Sequence, residues 1–299
     1  MKMKDSPHRH KRMIIIILAA LFALTSVALL FSNLPLTVSR YTVVSGKAAG
    51  AFRIVLLSDL HGREFGENNS RLLEKIAGEE PDIIALAGDI IDSEADEDQV
   101  ERVCAFIEKA GKIAPVWFGL GNHEASYMSA NGDSLLERIG QAGAVVLEAE
   151  YRDVELNGTP VRIGGYGGYY RTPHLNSQDP ARQEADMRFF EEFEDTDRFK
   201  LLLNHIPTNW LDWDYRDKTP VDLVLSGHYH GGNVRIPFTR YGLYAPYVGW
   251  FPPYTKGLFE GEEAACVLTT GLTGGNGYPR LFNPPEIVTV DVVPQEPGE

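Results

Sequence analysis

The chain has 299 residues, 43% hydrophobic and 23% charged, the profile of a globular protein of one or two domains. Its formal net charge of −14 argues against nucleic acid as the main partner, because phosphate-backbone binding needs a basic face. A phosphorylated substrate stays open, because bound cations reverse the sign locally. The two cysteines, Cys104 and Cys266, form no CxxC pair, which excludes a disulfide framework and a zinc knuckle and leaves two buried free thiols as the expectation.

Residues 1–12 are a basic tail with Lys2, Lys4, Arg9, Lys11 and Arg12, and with His8 and His10 as solvated residues. Residues 13–31, MIIIILAALFALTSVALLF, carry no charge, and a helix of that length matches a ~30 Å hydrocarbon core. The rival reading is a cleaved signal peptide. Its apolar region spans ~7–15 residues and ends at a small-x-small site, which suits this longer run less well. The segment is therefore read as an uncleaved transmembrane anchor. The basic excess on its N-terminal side puts the tail in the cytosol and the larger part of the chain outside, as a single-pass cell-membrane protein.

Residues 32–46 read as a linker and 47–299 as one domain. Strand–helix alternation begins at once: strand 52–57, helix 69–77, strand 82–87, helix 98–110, strand 115–120, helix 134–141. This βαβαβ order predicts an α/β fold with parallel strands covered by helices. Shorter strands follow near 144–148, 152–156 and 161–165, then a helix at 181–193 and strands at 198–203 and 221–225. The last strands, near 264–270 and 286–293, are separated by a Gly- and Pro-rich loop.

Five of these strands end in potential ligands. Strand one is followed by Ser58-Asp59-Leu60-His61, strand two by Gly88-Asp89-Ile90-Ile91-Asp92, and strand three by Gly121-Asn122-His123-Glu124. Strand 198–203 delivers Asn204-His205, and strand 221–225 delivers Gly227-His228-Tyr229-His230. Sites in open α/β sheets form at the carboxyl ends of strands. Any one of these motifs is weak alone, and a lone His205 is more often a satisfied core histidine. Together they are not weak. Six histidines follow the apolar segment, and all but His174 fall in the motifs.

In this order the blocks Asp-x-His, Gly-Asp-x-x, Gly-Asn-His-Glu, a His and Gly-His-x-His resemble the signature of the calcineurin-like metallophosphoesterases. The run 271–285, GLTGGNGYPRLFNPP, resembles the membrane-anchored bacterial branch of that family. The resemblance implies a four-layer αββα sandwich with two mixed sheets. It implies that Asp59, His61 and His230 bind one metal ion, that Asn122, His205 and His228 bind a second, and that Asp89 bridges both. It further implies that a bridging water, deprotonated near neutral pH, attacks phosphorus in line. His123 would then serve the leaving oxygen, with Asp92 orienting it and Glu124 behind the ligands. Nitrogen and oxygen ligands without thiolate suit manganese, iron or zinc and do not choose among them. Tyr229, Asn233 and 165–167 depart from the usual pattern without touching a ligand.

The expected activity is hydrolysis of phosphomonoesters or phosphodiesters, on a phosphorylated small molecule or a lipid-linked substrate. A pyrophosphatase acting on nucleotide-linked sugars or lipids is the alternative, and a non-catalytic binding scaffold with the same fold a remote one. A metal-independent nucleophilic hydrolase is disfavoured, because no Gly-x-Ser-x-Gly elbow occurs. Two loops are candidates for substrate contact. One holds Tyr169, Tyr170, Arg171 and His174. The other, 241–259, is aromatic-rich and free of acidic residues, as suits a membrane–water interface.

Overall fold

Runs that are apolar at every position make strands buried on both faces, and here they build two stacked sheets. The computed structural model describes residues 7–33, 35–213, 215–239, 241–246, 248–274 and 280–296. Lys2, Lys4, Tyr247 and 275–279 of the Gly-rich loop lie outside the described residues. The first sheet contains β1 (Thr37–Ser45), β2 (Phe52–Leu57), β3 (Ile83–Ala87), β4 (Val116–Gly119), β5 (Ala144–Leu147) and β14 (Glu286–Pro294), in the order β1-β14-β2-β3-β4-β5. Only the β14–β2 pair is antiparallel.

The second sheet contains β6 (Glu150–Leu156), β7 (Thr159–Gly165), β8 (Phe199–Leu203), β9 (Leu223–Ser226), β12 (Gly257–Glu260) and β13 (Ala265–Leu268), in the order β12-β13-β9-β8-β7-β6. Its two outer pairs are antiparallel and its centre is parallel. A short ribbon, β10 (Tyr244–Ala245) with β11 (Gly249–Trp250), stands apart.

Side-chain alternation sorts the cores. Ile54, Leu56, Ile83 and Ala85 of the first sheet meet Leu201, Leu203, Leu223 and Leu225 of the second between the sheets. Their neighbours Val55, Leu57, Ile84 and Leu86 face outward, onto α2 (Ser70–Ala77), α3 (Glu97–Ala110) and α5 (Ser134–Gln141). Leu202, Val224 and Cys266 face the opposite way, onto α7 (Pro180–Glu194) and α8 (Thr208–Leu211). The result is four layers, helices–sheet–sheet–helices. Cys266 is buried and Cys104 half-buried, and both are free thiols.

The one-turn helices α6 (Pro173–Asn176) and α8 and the β10–β11 ribbon are absent from the sequence reading, and three further elements differ from it with consequences for the fold and the site. The supposed linker 32–46 contains β1, whose partner β14 lies at the far end of the chain. Such an alternating edge strand gives little local signal, because one face stays wet. The loop after β11 holds β12, another edge strand. The third is α4 (Asn122–Asn131). Its first turn is given over to polar residues, so its apolar periodicity is faint. The apolar N-terminal segment is a helix, α1 (Pro7–Asn33), with Ile16, Phe22 and Leu24 exposed.

A chain starting at residue 47 should therefore be less stable than one starting at residue 35. It loses all of β1, the buried Val43 and the 2.6 Å Arg40–Glu79 ion pair. The expected deficit is at least about 2 kcal/mol, roughly 4–8 °C in Tm. Equal melting temperatures in calorimetry would show β1 to be dispensable.

Candidate metal centre

The carboxyl ends of β2, β3 and β4 meet those of β8 and β9 at one edge of the sandwich. The loop after β2 is stitched to the loop after β3: Asp59 N donates to Gly88 O (3.1 Å), His61 N to Asp89 O (3.0 Å) and Gly62 N to Ile90 O (2.8 Å). These turns are sharp. Asp59, His61, Asp89, His228 and His230 all have positive φ, between 46° and 71°. The left-handed region is costly for residues with a Cβ, about 1 kcal/mol or more each. Five polar residues hold it here because the fold aims their side chains at one place. Glycine is required where the backbones crowd them. A Cβ on Gly121 would strike the Asp89 carboxylate, and one on Gly227 would strike Ser58 Oγ.

The side chains converge in two mostly buried clusters, and a third, half-buried group of His61, Asp92 and His123 overlaps the first. Ligand atoms of Asp59, His61 and His230 lie within 4.8 Å of one another, and so do those of Asp89, His205 and His228. Both carboxylates reach across: Asp89 Oδ2 is 3.0 Å from His205 Nε2 and 4.0 Å from His61 Nε2, and Asp59 Oδ1 is 3.5 Å from His230 Nε2 and 4.0 Å from His205 Nε2. His205 Nε2 and His228 Nδ1 are 3.2 Å apart. The other ring nitrogens are anchored on backbone carbonyls: His205 Nδ1 on Ala87 O (2.7 Å) and His230 Nδ1 on Thr273 O (3.1 Å). A nitrogen so occupied leaves its partner nitrogen for the cluster. Asn122 opens α4, and its Oδ1, like His61 Nε2, is buried without a hydrogen-bond partner among the described residues. Burying a polar atom unpaired is costly. Two such atoms beside carboxylates fit a pair of divalent cations.

His123 and Asp92 lie at the open side. His123 Nε2 is 3.9 Å from Asp89 Oδ2, while its Nδ1 is 3.1 Å from both Asp92 Oδ1 and Ser93 N, donating to Asp92 in one tautomer and accepting from Ser93 in the other. His205 is wholly buried, the His123 side chain is 19% exposed and that of Asp92 44%, which sets the direction of access.

The electrostatics favour cation binding. Burial would raise the Asp59 carboxyl, but the charges of His230 and His205 outweigh it and hold it below its ordinary range. Burial also opposes ionisation of Asp89, yet His205 beside it holds that carboxyl far down. Burial pushes His61 down to about 4 and His228 down to about 3, so both imidazoles are neutral. Burial would lower His205 too, but the Asp89 carboxylate wins and pushes it up to about 9. In the ion-free protein His205 is thus a cation standing where a metal charge fits.

Glu124 matters more than its sequence context suggested. It is fully buried and accepts hydrogen bonds from Gly121 N (2.8 Å), Asp89 N (2.8 Å), Ile90 N (2.7 Å) and Ile91 N (3.2 Å). It closes the N-terminus of α4 as a capping box does and fixes the Asp89 turn. The Glu at the third helical position after Gly121 was the available signal. Two further residues carried none. Buried Arg280 donates to the carbonyls of Thr270, Thr273, Asn283 and Pro284, and Asn283 Nδ2 donates to His230 O (2.7 Å).

The loop holding Tyr169–His174 is mostly structural. Tyr170 is buried with its hydroxyl on Glu194 (3.0 Å), and Arg171 is held by the same carboxylate (2.5 Å), so neither is free to meet a phosphate. His174 is exposed. Tyr169 instead stacks on Trp213, 5.8 Å between centroids. Both line a cleft of about 530 Å³ with Leu175, Thr208, Asp212 and Val248. The cleft adjoins the metal loop through Tyr229, whose hydroxyl donates to Asp212 Oδ2 (2.7 Å).

A fold and a site of this kind define a class of metal-dependent phosphoester hydrolases. The family described as calcineurin-like phosphoesterase matches residues 52–232, and the chain belongs to it. Membership implies a dinuclear divalent metal centre, which the two clusters suit. The chain is 28% identical over 245 residues to metallophosphoesterase Cj0846 of Campylobacter jejuni, covering 80% of this chain and 59% of that protein. It is 26% identical to metallophosphoesterase YkoQ of Bacillus subtilis, covering 62% of this chain and 63% of that one. The chain therefore spans about three-fifths of the length of these two relatives. To phosphodiesterase YaeI of Escherichia coli it is 26% identical, covering 82% and 83%.

Glu124→Ala should be among the most destabilising single changes at this site. It strands four buried N–H groups at about 1–3 kcal/mol each before water enters, so a loss of at least ~3 kcal/mol is expected in denaturant unfolding. A loss under about 1 kcal/mol would show that the Asp89 turn holds without it.

Proposed function

We propose that this protein is a membrane-anchored phosphoesterase hydrolysing phosphomonoesters or phosphodiesters with two divalent ions, manganese, iron or zinc. The observation that carries the reading is the convergence of Asp59, His61 and His230 with Asp89, His205 and His228 in two adjoining clusters, cross-linked by Asp89 to His61 and by Asp59 to His205 at 4.0 Å. Asp59, His61 and His230 would hold one ion and Asn122, His205 and His228 the other, with Asp89 as a ligand shared by both. Two such ions, when bound, acidify a water for attack on phosphorus and neutralise the phosphoryl oxygens. The neutral imidazoles of His61 and His228 are ready ligands, and the Nδ1 anchors of His205 and His230 keep their rings aimed. His123 Nε2, on the open side, donates a hydrogen bond or proton to the leaving oxygen, with Asp92 orienting the ring. The name of the Escherichia coli relative supports the diester half of this reading. A pyrophosphatase would use the same residues.

The anchor is supported by α1, whose apolar stretch Lys11–Asn33 is about 34 Å long at 1.5 Å per residue. In this reading residues 1–12 stay in the cytosol, 13–31 cross the cell membrane and the metal domain lies outside. Reporter fusions at residues 12 and 45 test this, and a cytosolic signal at 45 reverses it.

His123→Ala is expected to keep both ions in elemental analysis and to lose about 10²–10⁴ in turnover. The deficit should shrink for a nitrophenyl ester, whose leaving group needs no proton. Loss of an ion would remove His123 from this role.

Proton competition gives a second test. His205, at about 9 in the ion-free protein, is protonated below that pH and must lose its proton to ligate. Apparent metal affinity should therefore rise with pH up to about 9, by up to ~10-fold per unit from this residue. His61 and His228, already neutral, add nothing above pH 5. Calorimetric titration in two buffers of different ionisation enthalpy should show proton release at pH 7.5, and its absence would contradict the ligand role of His205.

A further inference from the structure

One edge of the molecule carries exposed aromatic side chains, among them Trp250, whose one ring contact among the described residues is edge-on with Tyr244 at 5.5 Å. Phe238, Trp250, Phe251 and Phe282 are exposed, Trp250 at 69% and Phe251 at 57%. Three of these, Phe238, Phe251 and Phe282, have φ of 65°, 57° and 54°. Left-handed backbone suits glycine or asparagine and is an outlier for a bulky residue. A phenylalanine there, with no core to bury it, gains nothing from the fold on either count. Its benefit comes from contact outside the chain.

These residues are one physical unit with the metal loop and the apolar helix. Val234 bridges to Leu281, and Arg235 N donates to Leu281 O (2.9 Å). Phe251 N donates to Leu243 O (2.9 Å), and Leu243 N to Gly232 O (3.2 Å). Asn283 ties the same strip to His230 O (2.7 Å). The C-terminal turn of α1 docks on it as well. Ser32 is buried and its Oγ accepts the Phe282 N–H (2.6 Å), while the Arg63 guanidinium donates to Asn33 O (3.0 Å). Among the described residues the contacts of α1 with the body lie at its C-terminal end, beside Phe282, while Ile14, Ile16, Phe22 and Leu24 are exposed. If that apolar stretch lies in a bilayer, Phe282 is at the headgroup level, and the aromatic strip with it. The charge agrees: residues 231–259 hold no Asp or Glu in a chain of net charge −14, so the strip does not repel an anionic surface.

We infer that this aromatic edge docks on the lipid bilayer and holds the mouth of the metal centre at the headgroup layer, so that the substrate is a phosphoester carried by a membrane lipid. The inference rests on the anchored-phosphoesterase reading above and adds the substrate class to it. Aromatic rings prefer this interface, apolar on one side and wet on the other. An anchor alone would leave the domain free to tumble on its tether. Docking at a second point fixes which face looks down, and the loop of His228 and His230 is on that face.

The test uses the full chain, loaded with Mn²⁺ and reconstituted in vesicles of phosphatidylcholine and phosphatidylglycerol (3:1). Two matched probes are hydrolysed, dioleoylglycerophospho-p-nitrophenol in the vesicle and its diacetyl analogue free in solution. The variant carries Trp250→Ser, Phe251→Ser and Phe282→Ser. Because these side chains are exposed, its melting temperature should stay near that of the parent. It should turn over the soluble ester normally and lose about tenfold or more on the vesicle-borne ester. In the parent, brominated phosphatidylcholine should quench a fluorescence component that Trp250→Phe removes. Equal activity of parent and variant on the vesicle-borne ester, or no quenching of Trp250, would overturn the inference. So would a shift from dimer to monomer in the variant with vesicle hydrolysis unchanged, which would give the edge to a second copy. A parent that fails on the soluble ester, or leaves the membrane in alkaline carbonate, would overturn the underlying reading and the inference with it.

Discussion

Three carboxylates, Asp59, Asp89 and Glu124, are buried together where the two sheets meet, and the site depends on how their repulsion is balanced. Each is compensated differently. Glu124 takes four backbone N–H groups and the start of α4. Asp59 accepts the His228 N–H (3.1 Å) and faces His230 at 3.5 Å. Asp89 accepts the His123 N–H (2.8 Å) and faces His205. Glu124 needs no cation and Asp89 does, which separates the carboxylate that builds the site from the one that uses it. Burial and the Asp89 charge raise Glu124 even so, a sign of how much negative charge this seam holds.

The same balance explains the backbone. Ligands in left-handed turns, glycines pressed against carboxylates, and imidazoles held by carbonyls are all locally unfavourable or restrictive. They persist because four layers of apolar packing hold the strand ends in place from behind. Local strain at a site, compensated by the scaffold, is the usual arrangement for preorganised chemistry. Arg280 extends it. A buried guanidinium spent on four carbonyls rigidifies the loop that anchors His230, so the last strand connection belongs to the site as much as the metal loop does.

The molecule also has a direction. Burial grades from His205 at the floor to Asp92 at the mouth, and the helix end, the aromatic strip and the metal loop share one hydrogen-bonded edge. Two features read separately in the sequence, the apolar segment at 13–31 and the aromatic run at 241–259, are linked in steps: Ser32 to Phe282, Leu281 to Val234, and Val234 to Leu243.

Much of this was legible in the sequence. Strands of Ile, Leu, Val and Ala flanked by Gly announce themselves because burial on both faces demands apolar residues throughout, and the candidate ligands stand out because five of the six histidines after the apolar segment fall at the ends of those strands. What sequence order leaves open is which distant pieces touch. β1 went unread because an edge strand wet on one face needs no apolar run, and its partner lies near the other terminus. Glu124, Arg280 and Asn283 act through backbone groups of other loops, so their residue types carry no label. Tyr170 and Arg171 looked like phosphate contacts and are turned to Glu194 instead, because a side chain's direction depends on what packs behind it. The chain thus determined by itself most of its strands, its candidate ligands and its apolar helix, through composition and spacing. The tertiary structure alone decided how the buried carboxylates are balanced and which face carries the exposed rings, since both depend on contacts between residues far apart in sequence.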